Sequence, residues 1–478
     1  MKRIKNSIVI SVFFISALCF SQKKWTLQEC VAYALENNIS IKQSGLDLKT
    51  AEISKKDAFG NFLPSLSASS SHSWNIGLNQ NITTGILENL TTQFTSIGVN
   101  SNVDIYAGLR NINQLHRANL AKLASQYQLD KMKDDISLMV ANSFLQILFN
   151  KEQLKVLQAQ QEVSLQQLER TQSLVDTGLL PRGDLLEVQA TIASQEQQIV
   201  NAENAILLSR VSLAQTLLIK DYQNFDTADI DYEVPMTNIL NESPETIINK
   251  AKEERYEIKI ADANTKLAEY DLKIAKGALQ PTLSGYYSYS TRASYSDRVV
   301  GFELDQNNPT SQVGVVESTG EPVVTPNFNG IIGGPAPLFD QFSLNDGHNF
   351  GLQLNIPIFN GFSANNNVSR NRVSLERSKF QLEQANLDLE ANVYQAFNDA
   401  QGAMKAYEAA QKTVTARQEA YNYSQERYNV GLLNAFDFSQ SQNQLEAAQS
   451  DVVRAKYDYI FKIKVLEFYF GIPISELD

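Results

Sequence analysis

A short glycine-containing turn occurs twice in this chain, and its repetition constrains the fold more than any other feature of the sequence. Residues 175–185 read VDTGLLPRGDL, and residues 429–438 read NVGLLNAFDF. An offset of 253 aligns Gly178 with Gly431 and Asp184 with Asp437. In both copies, roughly 70 residues of uninterrupted helical periodicity precede the turn and more than about 30 follow it. The sequence therefore predicts an internal structural repeat.

Each turn is predicted to be the tip of a long helical hairpin. Glycine ends a helix readily because it adopts the left-handed backbone conformation without a steric penalty. A Pro or Asn followed by an Asp is typical of the start of the next helix. We therefore predict antiparallel helices over residues 110–177 and 184–218, and again over residues 363–430 and 437–470. At 1.5 Å per residue, the longer helix of each pair extends roughly 100 Å.

A second repeated pattern precedes each hairpin, with an offset of 217 between its copies. Thr26 and Glu29 have the spacing of a capping box, which predicts a helix from residue 26 to about residue 61, where Pro64 follows. Pro281 corresponds to Pro64 in the second copy. After each proline the hydrophobic period changes to two, which predicts strands within residues 65–74, 97–105, 285–295 and 350–358.

The predicted strands have one apolar and aromatic face and one face of Ser, Asn, Gln and Gly. This division is typical of strands that contact lipid on one side and water on the other. Four strands cannot close a barrel, because even small barrels need about eight, so several chains would have to contribute strands. The alternative interpretation is two soluble β-hairpins packed against the helices.

The two strand pairs have connections of different length. Residues 79–95 form a short connection, whereas residues 292–347 form a long one that is rich in Pro and Gly. We expect the long connection to be a mobile extracellular loop, and the alternative is that its apolar tract, residues 330–342, folds over the pore mouth.

The N-terminus has the pattern of an export signal. Lys2, Arg3 and Lys5 precede an apolar run at residues 8–20, which predicts a signal peptide over residues 1–21. Its removal leaves Cys30 as the only cysteine, so no intramolecular disulfide is expected. The formal net charge of −12 argues against nucleic acid as a partner. No later segment has 18 consecutive apolar residues, and no transmembrane helix is expected.

The residue patterns of common active sites are missing from the sequence. The three histidines are scattered and do not have the spacing of a metal site. The sequence contains no Gly-rich phosphate loop, no G-x-S-x-G nucleophile motif and no Cys–His arrangement. We therefore expect no enzymatic activity, no catalytic residue, no metal and no cofactor.

The order of helix, two strands, long hairpin and linker, given twice, resembles the TolC-type outer-membrane efflux proteins over essentially the whole mature sequence. The resemblance rests on the WTLQE opening at residues 25–29, the two proline-marked strand starts and the two Gly-Leu turns, each followed six residues after the Gly by an Asp. It implies an α+β membrane protein with long antiparallel α-helical hairpins that form a periplasmic tunnel. It also implies a homotrimer in which each chain gives four strands to a twelve-stranded β-barrel in outer-membrane lipid.

The resemblance also divides the chain. The first repeat is expected over residues 22–219 and the second over residues 244–478. Residues 220–243, rich in Asp and Asn, are expected to form an equatorial linker outside the helical bundle.

A gate at the periplasmic tip is a further implication of the resemblance. In the family, an Asp of the first hairpin and a Tyr of the second form part of the gate, and these match Asp184 and Tyr428. An Arg that braces the gate in the best-known member falls on Leu433, with Arg182 nearby on the other tip, so we expect a different bonding pattern. For Asp184 taken alone, a helix N-cap is an equally good interpretation.

The family also places rings of acidic side chains in the pore constriction. Asp437 matches the upper position, Gln440 matches the second position without a charge, and Glu187 of the first hairpin is the candidate substitute. Carboxylates at a narrow point favour cations. The turns themselves expose backbone and an apolar side chain, which suggests docking, in this family on the helical hairpin of a periplasmic adaptor. The docking residues are Gly178, Leu179, Gly431 and Leu432.

The expected function is therefore a passive exit duct of a tripartite efflux or secretion system. An adaptor and an energised inner-membrane pump, of the resistance-nodulation-division or the ATP-driven kind, would open its tip. A soluble periplasmic coiled-coil adaptor or scaffold is the alternative, and an outer-membrane adhesin is a third hypothesis. The predicted lipid-facing Tyr and Ile rows speak against the adaptor, and the matched Asp residues at the tips speak against the adhesin.

Overall fold

The computed structural model describes residues 24–80, 85–230 and 239–472. The predicted signal peptide, residues 1–21, lies outside these ranges, and so does part of the predicted linker, residues 231–238. Within the described ranges, no helix carries an apolar stretch long enough to cross a lipid bilayer.

The first repeat runs from a two-residue strand through helices and strands to a long helical hairpin. Its elements are β1 (Lys24–Trp25), α1 (Leu27–Asn37), α2 (Ile39–Gly60), β2 (Ser65–Gln80), β3 (Leu87–Ala107), α3 (Arg110–Asp176) and α4 (Arg182–Thr216). A second two-residue strand, β4 (Asp226–Thr227), follows and pairs in parallel with β1.

The second repeat has the same order of elements, with additional strands between its two main ones. After a 3₁₀ turn at Ile239–Asn241 come α5 (Pro244–Glu254), α6 (Tyr256–Gly277), β5 (Thr282–Ser294), β6 (Arg298–Leu304), β7 (Thr310–Val315), β8 (Pro322–Pro326), β9 (Phe328–Gly333), α7 (Leu338–Leu344), β10 (Gly347–Asn355), α8 (Ser363–Asn429) and α9 (Ala435–Tyr469).

Corresponding helices of the two repeats have equal lengths. Helices α1 and α5 have 11 residues each and α2 and α6 have 22. The long helices α3 and α8 have 67 residues each, and the return helices α4 and α9 have 35. The predicted internal duplication is therefore confirmed, and the predicted long helices are present with ends that differ by one or two residues.

The short helices at the start of each repeat are capped alike. Thr26 Oγ1 accepts a hydrogen bond from the Glu29 amide at 3.3 Å, and a Glu29 carboxylate oxygen accepts one from the Thr26 amide at 3.1 Å. This confirms the predicted capping box. Ser243, at the corresponding position of the second repeat, accepts a hydrogen bond from the Thr246 amide at 3.2 Å. Both caps satisfy amides that would otherwise lack partners in the first helical turn.

The single helix predicted over residues 26–61 is in fact two helices. Asn38 leaves the helical conformation with φ −59° and ψ 134°. Its side-chain amide donates to the Thr216 carbonyl at 3.2 Å, and its side-chain oxygen accepts from the Ser40 amide at 2.8 Å. The prediction of one continuous helix was wrong because a contact with a residue 178 positions away holds the break.

The described residues form two compact units. The unit made of residues 54–118 and 270–372 contains a four-stranded antiparallel sheet in the order β10-β5-β3-β2. The register places Phe350 opposite Tyr287 and Leu354 opposite Leu283. At the alternate positions of the same two strands, Asn349 lies opposite Ser288. One face therefore carries aromatic and aliphatic side chains and the other carries Ser, Asn and Gln, as predicted from the period of two.

The connections within this unit differ from the prediction. Strand β2 extends to Gln80 and strand β3 begins at Leu87. The first connection is therefore shorter than the predicted residues 79–95. The long connection, expected to be a mobile loop, contains two nested antiparallel pairs, β6 with β9 and β7 with β8, and the helix α7. Pro322 and Pro326 lie at the two ends of the short strand β8, where proline is tolerated.

The second unit contains the remaining described residues and is built from helices. Its two main apolar clusters bury corresponding residues of the two repeats. Cys30, Val31 and Ala34 of α1 are buried in the first cluster. Their counterparts at an offset of 217, which are Ile247, Ile248 and Ala251 of α5, are buried in the other. Helices α3 and α4 complete the first cluster, α8 completes the second, and α9 contributes to both.

The start of the predicted linker packs on the helices and does not lie outside the bundle. Phe225 is 3% exposed and Thr227 is fully buried. The Lys151 ammonium contacts carboxylate oxygens of Asp226 at 2.8 Å and Asp229 at 2.7 Å. Hydrogen bonds from Lys151 and Lys24 lower the pKa of Asp229 to about 2. The abundance of polar residues hid this contact, because the carboxylates of the segment bind lysines of the bundle and of β1.

Candidate functional site: the hairpin tips

The two hairpin tips have the same backbone. Gly178 has φ 73° and Gly431 has φ 76°. At each tip the glycine amide bonds the carbonyl three residues earlier, at 3.0 Å in the first and 3.1 Å in the second, and the following leucine amide bonds the carbonyl five residues earlier at 2.9 Å and 2.8 Å. This pair of bonds is the Schellman motif, which ends a helix with glycine in the left-handed conformation.

The apolar side chain after each glycine points away from the chain. Leu179 is 72% exposed and Leu432 is 68% exposed. No atom lies within 4 Å of where a Cβ would stand on Gly178 or Gly431. The glycines are therefore required by backbone conformation and not by crowding. The tips present two exposed leucines and open backbone, which is the geometry expected of the predicted docking residues.

The second tip also contains a buried aromatic cluster. The rings of Tyr428 and Phe438 stack with centroids 4.8 Å apart and planes 9° apart, and Tyr421 lies 5.6 Å from Phe438. Ala435 and Leu445 complete the cluster. The predicted gate residue Tyr428 thus packs between the two helices of its own hairpin.

The hydroxyl of Tyr428 is buried and has no hydrogen-bond partner among the described residues. Within the chain, the described contacts do not join Tyr428 to Asp184. A buried polar atom without a partner is uncommon in folded proteins. The assignment of both residues to a gate stays a prediction.

The helix starts after the two turns are capped differently. Asn434 caps α9: its side-chain oxygen accepts from the Asp437 amide at 2.8 Å, and its side-chain nitrogen donates to the Asp437 carboxylate at 2.9 Å. At the first tip, Pro181 occupies the cap position and makes no side-chain hydrogen bond. Asp184 lies three residues further, in the first turn of α4. The N-cap interpretation of Asp184 is therefore wrong.

The remaining predicted site residues lie on the first two turns of the return helices. Arg182 is exposed at the start of α4, Asp184 and Glu187 are partly exposed, and Asp437 and Gln440 are exposed on α9. Acidic side chains near a helix N-terminus are favoured by the partial positive charge of the free amides. The structure thus leaves these carboxylates available at the tips, and their role in a constriction stays a prediction.

A layer of buried polar side chains joins the two hairpins above the tips. Thr191 and Ser439 hydroxyls lie 3.3 Å apart. Further along, Gln442 donates to the Ser164 hydroxyl at 2.6 Å and Gln160 donates to Gln449 at 2.9 Å. The hairpins are therefore held together by directional bonds, which fix their register more strictly than apolar contacts would.

Glu446 of α9 is the acidic member of this layer. It accepts hydrogen bonds from the side chains of Gln195 at 2.5 Å and Gln442 at 3.3 Å. Burial raises the pKa of Glu446, while these two hydrogen bonds oppose the rise. No cation is among the described partners of this carboxyl.

Comparison with known families finds one match, which covers most of each repeat. The model of the outer membrane efflux protein family matches residues 31–217 and 247–469, one segment in each repeat. The chain belongs to the outer membrane efflux protein family. No curated protein sequence matches this family member.

Solved structures of outer membrane proteins share the fold of this efflux protein. VceC from Vibrio cholerae is 15% identical, with 93% of this chain and 96% of that chain covered and a TM-score of 0.73. The CmeC outer membrane channel of Campylobacter jejuni is 16% identical, with 94% and 86% covered and a TM-score of 0.75. The open state of the MtrE outer membrane channel of Neisseria gonorrhoeae is 17% identical, with 94% and 89% covered and a TM-score of 0.69.

Sequence reasoning missed the buried polar layer of this efflux protein. A Gln on a long helix with many polar residues is usually solvated, so Gln160, Gln195 and Gln442 gave no signal of burial. One signal was present: the offset of 253 pairs Gln442 with Gln189, yet only Gln442 is buried. The repeat thus identified the position but not which copy is buried.

Proposed function

We propose that the protein is the outer-membrane exit duct of a tripartite efflux or secretion system, formed by three copies of the chain. After export and loss of residues 1–21, repeats 22–219 and 244–478, joined by linker 220–243, supply a membrane part and a periplasmic helical tunnel. The duct is passive. A periplasmic adaptor and an energised inner-membrane pump open it at the hairpin tips.

The observation that carries this proposal is the sheet. It has two free edges, β10 and β2, and an apolar face on which Phe350 is 77% exposed and Trp74 is 60% exposed. Free strand edges and an exposed apolar face are each unfavourable in water. Edge-to-edge pairing of three such sheets would satisfy both edges and turn the apolar faces toward lipid, with twelve strands in a closed barrel.

Two features support a gate that involves Asp184, Tyr428 and Arg182. The buried Tyr428 hydroxyl has no hydrogen-bond partner among the described residues, so an arrangement of the second tip that supplied one would be favoured. Asp184 is not used as a helix cap, which leaves its carboxylate free to accept a bond. A tip with two arrangements of this kind is what opening and closing require.

The pore constriction is assigned to Asp437, Gln440 and Glu187, in the first two turns of the return helices. In a trimer, each acidic position supplies three carboxylates at the narrow end of the tunnel, which favours cations over anions. The exposed residues Gly178, Leu179, Gly431 and Leu432 are assigned to docking of the adaptor's helical hairpin.

Single-channel conductance of the purified protein in a planar bilayer tests the duct and the gate together. The mature protein is compared with an Asp184→Ala/Tyr428→Phe double variant. Tyr421→Phe is the matched control, because Tyr421 lies in the same cluster and is equally buried at 7%. We expect small cation-selective steps that grow in the double variant and not in the control.

The other outcomes are equally decisive. Steps that are unchanged in the double variant would remove the gate residues and keep the duct. The absence of channels from protein that is demonstrably trimeric would overturn the duct and restore the adaptor hypothesis. For the constriction, Asp437→Asn should lower the cation-to-anion permeability ratio. For docking, Leu179→Asp or Leu432→Asp should weaken adaptor binding without changing the conductance.

A further inference from the structure

An apolar cavity lies beside the buried polar layer, between helices α3, α8 and α9. Its volume is about 380 Å³. The apolar part of its wall comes from all three helices, namely from Val156, Val163, Val414, Tyr421, Leu445 and Val452. Cavities of this size with mostly apolar walls and few polar groups are typical of small-molecule sites.

One carboxyl lines this cavity, and no Lys or Arg is among its described lining residues. That carboxyl belongs to Glu446, whose described hydrogen bonds come only from the neutral amides of Gln195 and Gln442. The other titratable side chain in the wall is Tyr421, whose pKa is raised first by burial and then by the Glu446 charge. The cavity therefore offers an uncompensated acidic group.

Two side-chain amide oxygens near Glu446 also lack a hydrogen-bond donor. Gln160, which lines the cavity, is 7% exposed, and Gln195 is 1% exposed. The side-chain oxygen of each is buried without a hydrogen-bond partner among the described residues. Buried acceptors without donors are unfavourable, and at Gln160, the one of the two that lines the cavity, an N–H donor would relieve this cost.

We propose that this cavity binds an amphiphilic organic monocation, with a protonated amine at Glu446 and an apolar body against the valine and leucine side chains. The amine supplies both the charge and the donors that the site lacks, and the ring of Tyr421 offers a further cation–π contact. The cavity is far larger than a metal ion, and its apolar wall suits the hydrocarbon part of an organic cation. The inference concerns binding alone and does not rest on the proposed duct.

Isothermal titration calorimetry on the full-length mature protein in detergent tests the proposal. The probe is 4-phenylbutylamine, and 4-phenylbutan-1-ol is its neutral counterpart, each corrected for partition into protein-free micelles. We expect the amine to bind at least tenfold more tightly than the alcohol. Glu446→Gln, which keeps the shape and the hydrogen bonds, should remove that advantage. Glu419→Gln, an exposed carboxyl on α8, should leave binding unchanged.

A second variant guards against misfolding of Glu446→Gln. Val163 lines the cavity and is 42% exposed, so Val163→Trp should fill the cavity without disturbing the buried layer. It should abolish binding of both probes. Equal affinity of amine and alcohol, unchanged amine binding in Glu446→Gln or in Val163→Trp, or no amine binding to the unmodified protein would each overturn the proposal.

Discussion

The two hairpin tips share one backbone, a Gly-Leu-Leu sequence and an Asp six residues after the Gly, and they differ in the side chains that pack around the turn. Both turns place glycine at a φ of about +75° and both form the two hydrogen bonds of a Schellman motif. The second tip adds a stacked aromatic cluster and an Asn cap, whereas the first has a proline cap without a side-chain bond. Duplication has therefore preserved the turn and left the packing free to diverge.

This difference teaches that the turn and the stability of the tip are separate properties. Glycine fixes where each hairpin reverses. How tightly the hairpin holds together near that point depends on side chains that only the second repeat has. We therefore expect the second tip to open less often than the first. Native-state hydrogen exchange, read by mass spectrometry on peptides of each hairpin, measures this directly.

The largest expected effect is on the aromatic cluster. Phe438→Ala removes the ring that stacks on Tyr428 and contacts the tilted ring of Tyr421, and it should lower the local opening free energy of the second hairpin by about 3–5 kcal/mol. Peptides of the first hairpin should exchange as before. Phe436→Ala is the control, since Phe436 is 65% exposed. Equal effects of the two substitutions would show that the cluster does not stabilise this tip.

The turn glycines should behave alike in the two hairpins. Gly178→Ala and Gly431→Ala each force an alanine into the left-handed region, which costs about 1–2 kcal/mol. Gly183, in the first turn of α4, has open space for a Cβ and no positive φ. Gly183→Ala should therefore stabilise the first hairpin by up to about 1 kcal/mol. Hydrogen exchange of the turn peptides separates these outcomes, and unequal costs at the two tips would contradict the shared backbone.

A smaller difference is expected from the caps. Asn434→Ala removes the side-chain bonds to Asp437 and should cost about 1 kcal/mol in the second hairpin. Pro181→Ala removes no side-chain bond and should change the first hairpin by less than about 1 kcal/mol, through the unfolded chain alone. Equal effects of Asn434→Ala and Pro181→Ala on the stability of their hairpins would show that the Asn434 cap of α9 is not formed in solution.

The smallest effect concerns pH. Burial raises the folded-state pKa of Glu446, whereas its counterpart in the first repeat, at the offset of 253, is Ala193. Above the ordinary carboxyl pKa the unfolded chain ionises first, so the second hairpin should lose stability as pH rises through the folded-state pKa. Glu446→Gln should remove this dependence. Asp229, with its pKa lowered to about 2, should show the opposite sign, with stability lost as pH falls toward that value.

The features predicted correctly from the sequence are those set by local rules. The hairpin tips follow from the left-handed preference of glycine, and the long helices follow from their period and from the absence of proline. The capping box at Thr26 and Glu29 is likewise local, because its two bonds join residues three apart. The strands of the main sheet were recognised from alternation, and their faces followed without knowledge of their neighbours.

The features that the sequence did not reveal depend on distant contacts. The break at Asn38 is held by the Thr216 carbonyl, and the linker packs because Lys151 binds Asp226 and Asp229. The acidic member of the buried layer, Glu446, is an ordinary surface residue by every sequence criterion. Only the packing of α9 against the first hairpin makes it partly buried.

The change of offset from 217 to 253 between the repeats has a consequence for engineering. The difference is 36 residues, and the segment from the start of β6 at Arg298 to the end of β9 at Gly333 has the same length. Its four strands pair only with one another, β6 with β9 and β7 with β8. The segment is thus a self-contained module set between two elements that keep their register, and it marks the position at which a foreign epitope could replace native sequence without shifting any strand of the main sheet.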